Sequence, residues 1–343
     1  MFAAARRALF LLPPERAHDL TFGSLDMLTR LGAARLFPAR VSAPRRVLGL
    51  DFPNPVGLSA GLDKNGDHIR SLAALGFGFL ELGTVTPVAQ PGNPSPRLFR
   101  LTGHHALINR LGFNNKGLDH LCESIVNARP RVDIPLGVNI GKNRNTPIER
   151  AGDDYEACLD AVHGIADYIV VNLSSPNTPG LRSLQRGDDL TGLVERLRRR
   201  ASALEAETGR SVPLVVKIAP DMDDDALRWL VDALQTAGAD GITATNTTVD
   251  HSAVEGARHA DEAGGLSGAP LRDRATAMIA RIREHAGAEL PIIGVGGVMT
   301  PDDALEKIQA GADLVQLYTG LIYEGPALVR RAAEAIRDHA DAR

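Results

Sequence analysis

The chain has 343 residues, 44% of them hydrophobic and only 4% aromatic, with a formal net charge of −4. That length fits an α/β barrel with extensions, while the charge and the scarcity of aromatic residues exclude a general nucleic-acid or polymer-stacking surface. The two cysteines, Cys122 and Cys158, lie in helix-like stretches without metal-ligand spacing, which excludes a disulfide framework and points to a reduced cytosolic compartment.

From the N-terminus, FAAARRALFLLPPERAHDL carries an apolar run only from Ala8 to Leu12 before Pro13 and Pro14. It is not a clean signal peptide, and no stretch reaches the about 20 apolar residues of a spanning helix, so neither secretion nor membrane crossing is expected. Two short amphipathic helices divided at Pro13 and Pro14 are predicted over residues 1–37. Leu20, Leu25, Leu28 and Leu31 fall roughly on one face, with Arg6, Arg7, Arg16, Arg30 and Arg35 interspersed. Residues 1–40 therefore form either a helical cap on the main domain or a patch lying on a membrane surface, and the helical pattern alone does not choose. PARVSAPRRVLGLDFPNP then reads as a connector and a short hairpin.

From Pro55 onward short apolar runs alternate with helix-like stretches. Strands are predicted at 55–60, 79–84, 135–140, 168–173, 214–219, 241–246, 291–297 and 314–319. Continuous apolar strands separated by helices form a parallel sheet buried on both faces. Eight such units close into a (β/α)8 TIM barrel, placed at 41–343. The segment from Thr86 to Arg131 is long for one βα connection and is expected to form a lid or pocket wall, with His104 and His105 on its surface. RLRRR at 196–200 reads as a solvated helix face. DMDDDA at 221–226 reads as a helix N-terminus that favours acidic residues, and no metal site is expected.

Polar residues collect where these strands end: Ser59, Ala60 and Gly61 followed by Asp63 and Lys64, then Thr84, Asn139, Asn172, Lys217, and Thr245 to Thr247. Buried strand ends prefer Val, Ile and Leu, so polar groups there need partners; several converging on one rim point to a bound polar ligand. GVGGV (294–298) and YTG (318–320) close strands seven and eight, where barrels bind phosphate through backbone N–H groups, and Gly296 and Gly297 permit close approach. GGLSG (264–268) is read as a third, flexible loop. Lys217 in VVKIAPD has two readings, a salt bridge across the barrel or a cation beside a ring that gains negative charge, as a reduced flavin does. Lys64 reads similarly, toward flavin or a substrate carboxylate.

GLSAGLDKNG, LGTVTPVAQPGNPSPRLFR, INRLGFNNKG, VNLSSPNTPGLR, VKIAPD, TNTT and GVGGV follow one another between about Val47 and Gly325. Together they resemble the signatures of the dihydroorotate dehydrogenase family, in its membrane-associated, quinone-reducing class, and the amphipathic N-terminus is similar to that class as well. The resemblance implies FMN across the barrel mouth at Ala60, Gly61, Leu62, Asp63, Lys64, Thr84, Asn139, Asn172, Lys217, Thr245, Gly268, Gly297, Tyr318 and Thr319. It implies dihydroorotate, the precursor of orotate, at Lys64, Asn109, Arg110, Leu111, Gly112, Phe113, Asn172, Asn177, Asn246 and Thr247.

In the same comparison Ser175 stands where the soluble class carries a cysteine base. The resemblance implies that it removes the C5 proton while C6 passes a hydride to flavin N5. Serine is a weak base, so Asn and Lys contacts must stabilise the enolate-like charge as the C5–H bond breaks. Thr178 is a candidate to relay the proton outward, and Ser174 reads as a turn residue. A membrane quinone is the implied electron acceptor, which favours the membrane-surface reading of residues 1–40. The expectation is a monomeric, peripheral protein on the cytoplasmic side of a bacterial membrane. Three rivals stand beside this reading. The soluble class, using fumarate or a partner subunit, is opposed by Ser175 and by the N-terminal extension; the others are a phosphate-binding barrel without flavin and a membrane-surface scaffold without chemistry.

Overall fold

The computed structural model describes residues 2–32, 37–185 and 187–341. Arg35, counted above in the N-terminal segment, lies outside the described residues. Helices α1 (Phe2–Phe10) and α2 (Pro14–Arg30) break at Pro13, as expected. Pro14 occupies the first turn of α2, where a fixed φ and a missing N–H suit a helix start. The predicted hairpin is β1 (Arg45–Val47) and β2 (Leu50–Phe52). Its two loop residues, Leu48 (φ 56°) and Gly49 (φ 74°), both take positive φ, the twist that closes a two-residue antiparallel turn.

The chain continues as β3 (Val56–Leu58), α3 (Ile69–Ala73), β4 (Phe79–Val85), β5 (Leu98–Leu101), β6 (Ala106–Asn109), α4 (Leu118–Ala128), β7 (Leu136–Ile140), α5 (Ala151–Val162) and β8 (Tyr168–Asn172). Then follow α6 (Gly187–Thr208), β9 (Leu214–Ile218), α7 (Asp224–Thr236), β10 (Gly241–Ala244), β11 (Gly265–Gly268), α8 (Arg272–Ala286), β12 (Ile292–Val295), α9 (Pro301–Gln309), β13 (Leu314–Leu317), α10 (Thr319–Glu324) and α11 (Ala327–Asp341). The eight predicted strands pair in parallel in the order β3-β4-β7-β8-β9-β10-β12-β13, and β13 closes back onto β3. The TIM barrel is therefore formed as expected, with most strands somewhat shorter than their apolar runs.

The barrel interior explains which end carries a site. At the N-terminal end the inward residues are large and apolar: Phe79, Tyr168, Val170, Val215, Ile293 and Leu314. Phe52 from the hairpin enters from below and meets Phe79 edge-on at 5.2 Å. Gly57 and Gly137 make room for this layer, because a Cβ on either would lie 2.3 Å or 2.1 Å from the Phe79 or Tyr168 ring. Towards the C-terminal end the inward positions change to Glu81, Asn139, Asn172, Lys217, Thr243 and Gln316, all buried. Burying that many polar groups demands partners, and Glu81, Asn139, Asn172 and Gln316 bond to one another or to neighbouring strand ends, while Thr243 Oγ1 has no partner among the described residues.

The long insertion supplies β5 and β6, which join β11 in a three-stranded antiparallel sheet of order β11-β6-β5 beside the mouth. This corrects the reading of GGLSG as a flexible loop: Gly265–Gly268 is a strand held by the β6 ladder. Glycine is required there because a Cβ on Gly265 would lie 1.9 Å from Thr247 Oγ1. Asp223 caps α7 by accepting from the Ala226 N–H at 2.8 Å, as the acidic run implied. The arginines of 196–200 lie on an outer face of α6 and pair with Asp153, Glu156, Asp160, Glu195 and Asp240. His104 and His105 are exposed.

Helix α2 docks through Ala17 and Phe22, both buried. The Phe22 ring stacks on His68 at 4.9 Å and lies 4.6 Å from His18. Burial, with the Lys64 and His68 charges nearby, pushes the His18 pKa down to about 4. The unfolded chain binds this proton at about 6.5, so the stabilisation from neutral His18 is complete above that pH and is lost as pH falls towards 4. It amounts to at most about 3 kcal/mol. Thermal unfolding between pH 7 and 4 should show this loss in the native chain, and His18→Phe should flatten that part of the curve.

Candidate active site

At the C-terminal mouth the strand ends surround a cavity with about 950 Å³ of empty space. Of the expected cofactor positions, Ala60, Gly61, Lys64, Thr84, Asn172, Lys217, Thr245, Gly268, Gly297, Tyr318 and Thr319 line it. Leu62 packs into the core instead. Asp63 turns away and accepts the N–H groups of Asp67 (3.0 Å) and His68 (2.9 Å), fixing the turn into α3. Asn139 lies under the floor. Of the expected substrate positions, Asn109, Leu111, Gly112, Phe113, Asn177, Asn246 and Thr247 also line the cavity. Arg110 does not; its guanidinium reaches outward to Glu262 at 2.7 Å.

The floor is a continuous hydrogen-bond web. Thr84 Oγ1 donates to Asn139 Oδ1 at 2.5 Å, and Asn172 Nδ2 donates to the same oxygen at 3.2 Å. Asn246 Nδ2 donates to Asn172 Oδ1 (3.3 Å) and to Ser174 Oγ (3.0 Å). Ser174 also donates its N–H and hydroxyl to Asn172 Oδ1, so it closes the turn as the sequence suggested. Ser175 faces the cavity, and its Oγ accepts the Asn177 N–H at 3.2 Å. Thr178 is buried and does not line the cavity.

The charge pattern is one-sided. Lys64 and Lys217 line the cavity, and among the described residues no carboxylate does. Burial lowers the pKa of both ammonium groups, Lys64 to about 8. Tyr318 is held as a neutral phenol, pushed up to about 12 by burial. At one end, the N–H groups of Gly296, Gly297 and Gly320 find no protein acceptor among the described residues. Free N–H groups beside glycine turns suit a phosphate, and neutral amides and hydroxyls along the floor suit the polar edge of a flavin ring. The donor set therefore fits FMN.

Arg182, the last residue of VNLSSPNTPGLR, ties the Ser175 loop to its neighbours. Its guanidinium donates to Ser174 O (3.0 Å), Thr247 O (2.9 Å) and Asp221 Oδ2 (2.8 Å). Asp221 in turn accepts from Thr248 Oγ1, from the Val249 N–H at 3.1 Å and from Arg274 at 2.9 Å. Loops after β8, β9 and β10 are thus locked together. Arg182→Met should slow flavin reduction by substrate roughly 10- to 100-fold through misplacement of the serine. The melting temperature should stay within about 5 °C of the native value, with stopped-flow absorbance and calorimetry as the two readouts.

Sequence reasoning missed Glu81, Gln316 and Ser267. A signal existed for the first two: Phe79-Glu81-Gly83 and Leu314-Gln316-Tyr318 share an inward parity, so a polar residue inside each apolar run had to face the barrel axis. Ser267 meets Thr319 Oγ1 at 2.9 Å only because β11 pairs with β6, a contact without a local sequence mark.

A family model described as dihydroorotate dehydrogenase matches residues 42–339. A protein of Marinobacter nauticus named dihydroorotate dehydrogenase (quinone) is 55% identical over 338 residues, covering 98% of this chain and 99% of that protein. One of the same name from Azotobacter vinelandii is 56% identical, covering 98% and 96%. A crystal structure of DHODH from Eimeria tenella in complex with ferulenol superposes with a TM-score of 0.87 at 38% identity, covering 96% of this chain and 92% of that one.

Proposed function

The chain belongs to the dihydroorotate dehydrogenase family, and from that premise we propose how its own residues carry the reaction. The reaction is the FMN-dependent oxidation of (S)-dihydroorotate to orotate with a quinone as electron acceptor, in pyrimidine biosynthesis. The observation that carries the mechanistic reading is the convergence of Ser175, two lysines and a ring of amides on one carboxylate-free cavity.

When bound, FMN supplies the two-electron acceptor for the hydride that leaves C6. Gly268, Gly297 and Thr319 would hold its phosphate end, and Thr84, Asn172, Lys217 and Thr245 its polar ring edge. Lys64 pairs with the substrate carboxylate. Asn109, Asn177, Asn246 and Thr247 hold the substrate ring and its carbonyls. Ser175 Oγ takes the C5 proton as its own hydroxyl proton passes outward to water, with Thr178 as the candidate relay, and the Asn177 N–H donated to Oγ offsets the negative charge that builds there as that proton leaves. Lysine and amide contacts stabilise the enolate-like charge. The hydride and the proton together account for the two hydrogens lost from dihydroorotate.

Residues 1–40 form the membrane and quinone-access segment, and 41–343 the catalytic barrel. No helix among the described residues is long and apolar enough to cross a membrane. The N-terminal helices and their flanking residues instead expose Phe2, Leu11, Leu20, Met27, Leu28 and Leu31, a surface suited to lying in the interfacial plane. The reading is a monomer bound peripherally at the cytoplasmic side of a bacterial membrane.

Anaerobic stopped-flow absorbance tests the reaction. Dihydroorotate should bleach the flavin band of the purified protein, and a ubiquinone analogue should restore it faster than fumarate does. A colourless folded protein supplied with FMN, or reoxidation by fumarate alone, would overturn the reading.

A further inference from the structure

Beneath the cavity floor one carboxylate is sealed inside the barrel. Glu81 is fully buried and lies on β4, and its Oε1 is 4.0 Å from Lys217 Nζ on β9. Its two oxygens accept from Asn139 Nδ2 at 2.8 Å and Gln316 Nε2 at 2.5 Å. Among the described residues Lys217 makes one hydrogen bond, to Ser59 Oγ at 3.3 Å, and it lines the cavity. We propose that Glu81 is a positioning residue for the oxidation, the counter-charge that keeps Lys217 an ammonium aimed at the cavity. The proposal rests on the reading of Lys217 as a flavin contact.

A lone ammonium in a dry interior loses its proton or swings toward water. Burial lowers the Lys217 pKa, and Glu81 is the charge that opposes this. The other titratable groups around this space are Lys64 at the cavity, Tyr318 above the floor, Tyr168 one layer below and Tyr155 behind Asn172. The three phenols have pKa values raised by burial, so they remain neutral. Glu81 is thus the anion available to Lys217. The pair spans the barrel from β4 to β9, so the charge beside the cavity depends on barrel closure rather than on a loop.

Glu81→Gln isolates the charge. Glutamine keeps an acceptor for Asn139, and its amide can donate to Gln316 Oε1, which has no partner. The test is the flavin midpoint potential of the FMN-loaded protein, measured by dye equilibration from pH 6 to 10. Glu81→Gln should move the alkaline break that belongs to Lys217 down by about one pH unit or more; in Lys217→Met and in the double variant that break should vanish, leaving the one Lys64 makes at about 8. An unchanged break in Glu81→Gln overturns the proposal. If Lys217→Met leaves the whole curve as in the native protein, the placement of Lys217 itself fails and the proposal with it. Should Glu81→Gln not hold FMN, the double variant decides. Removing both ions of a buried pair is tolerated far better than removing one. Recovery of folded, FMN-loaded protein in Glu81→Gln/Lys217→Met therefore supports charge pairing, and failure to recover it marks Glu81 as merely structural.

Discussion

Ser175→Ala is expected to slow reduction of the bound flavin by dihydroorotate about 10²- to 10⁴-fold, the range supplied by a positioned general base. Binding should survive the change. Among the described residues Ser175 Oγ accepts only the Asn177 N–H, and the surrounding web runs through Asn172, Ser174 and Asn246 without it. Orotate titrations followed in the flavin spectrum should therefore give an affinity within a few-fold of native, so the loss appears in the rate constant of the half-reaction. Reoxidation of the reduced protein by quinone should be untouched, since that step needs no C5 base. A half-reaction of native speed in Ser175→Ala would remove the serine from the chemistry.

The second large effect is expected at the other end of the electron path. Leu20, Met27 and Leu28 are 54%, 58% and 40% exposed on one side of α2, while the buried Phe22 docks it from the other side. Replacing all three by Gln removes membrane-facing apolar area without opening the core. Each such side chain contributes about 1 kcal/mol or more when immersed, so partitioning onto lipid vesicles should weaken by about 10²-fold or more. Turnover with a long-tailed quinone in vesicles should fall in step, while turnover with a short soluble analogue and the dihydroorotate half-reaction stay native. Vesicle binding at native strength in the triple variant would show that α2 is only a cap.

The barrel was legible from sequence because its signal is redundant. Eight apolar runs at βα spacing tolerate errors at each boundary, and the polar strand ends had to face one mouth once the ring closed. What escaped depended on non-local pairing. β11 has two glycines and a serine among its four residues and reads as a loop; its order comes from the ladder to β6, more than 150 residues away in sequence. Arg110 belongs to a motif that lines the cavity, yet its own side chain leaves it, because Glu262 and the carbonyl of Pro96 lie on the other side of the strand. Lys217 had two readings, and the geometry holds them together: it pairs across the barrel with Glu81 and faces the cavity as well.

The hairpin residue Phe52 gives the barrel a stopper. With its ring seated against Phe79, nothing the size of a nucleotide exchanges through the lower end. Loading and escape share a single doorway, the one through which orotate departs. Product held in that doorway should lengthen the residence time of FMN, so the cofactor should dissociate most slowly from protein saturated with orotate.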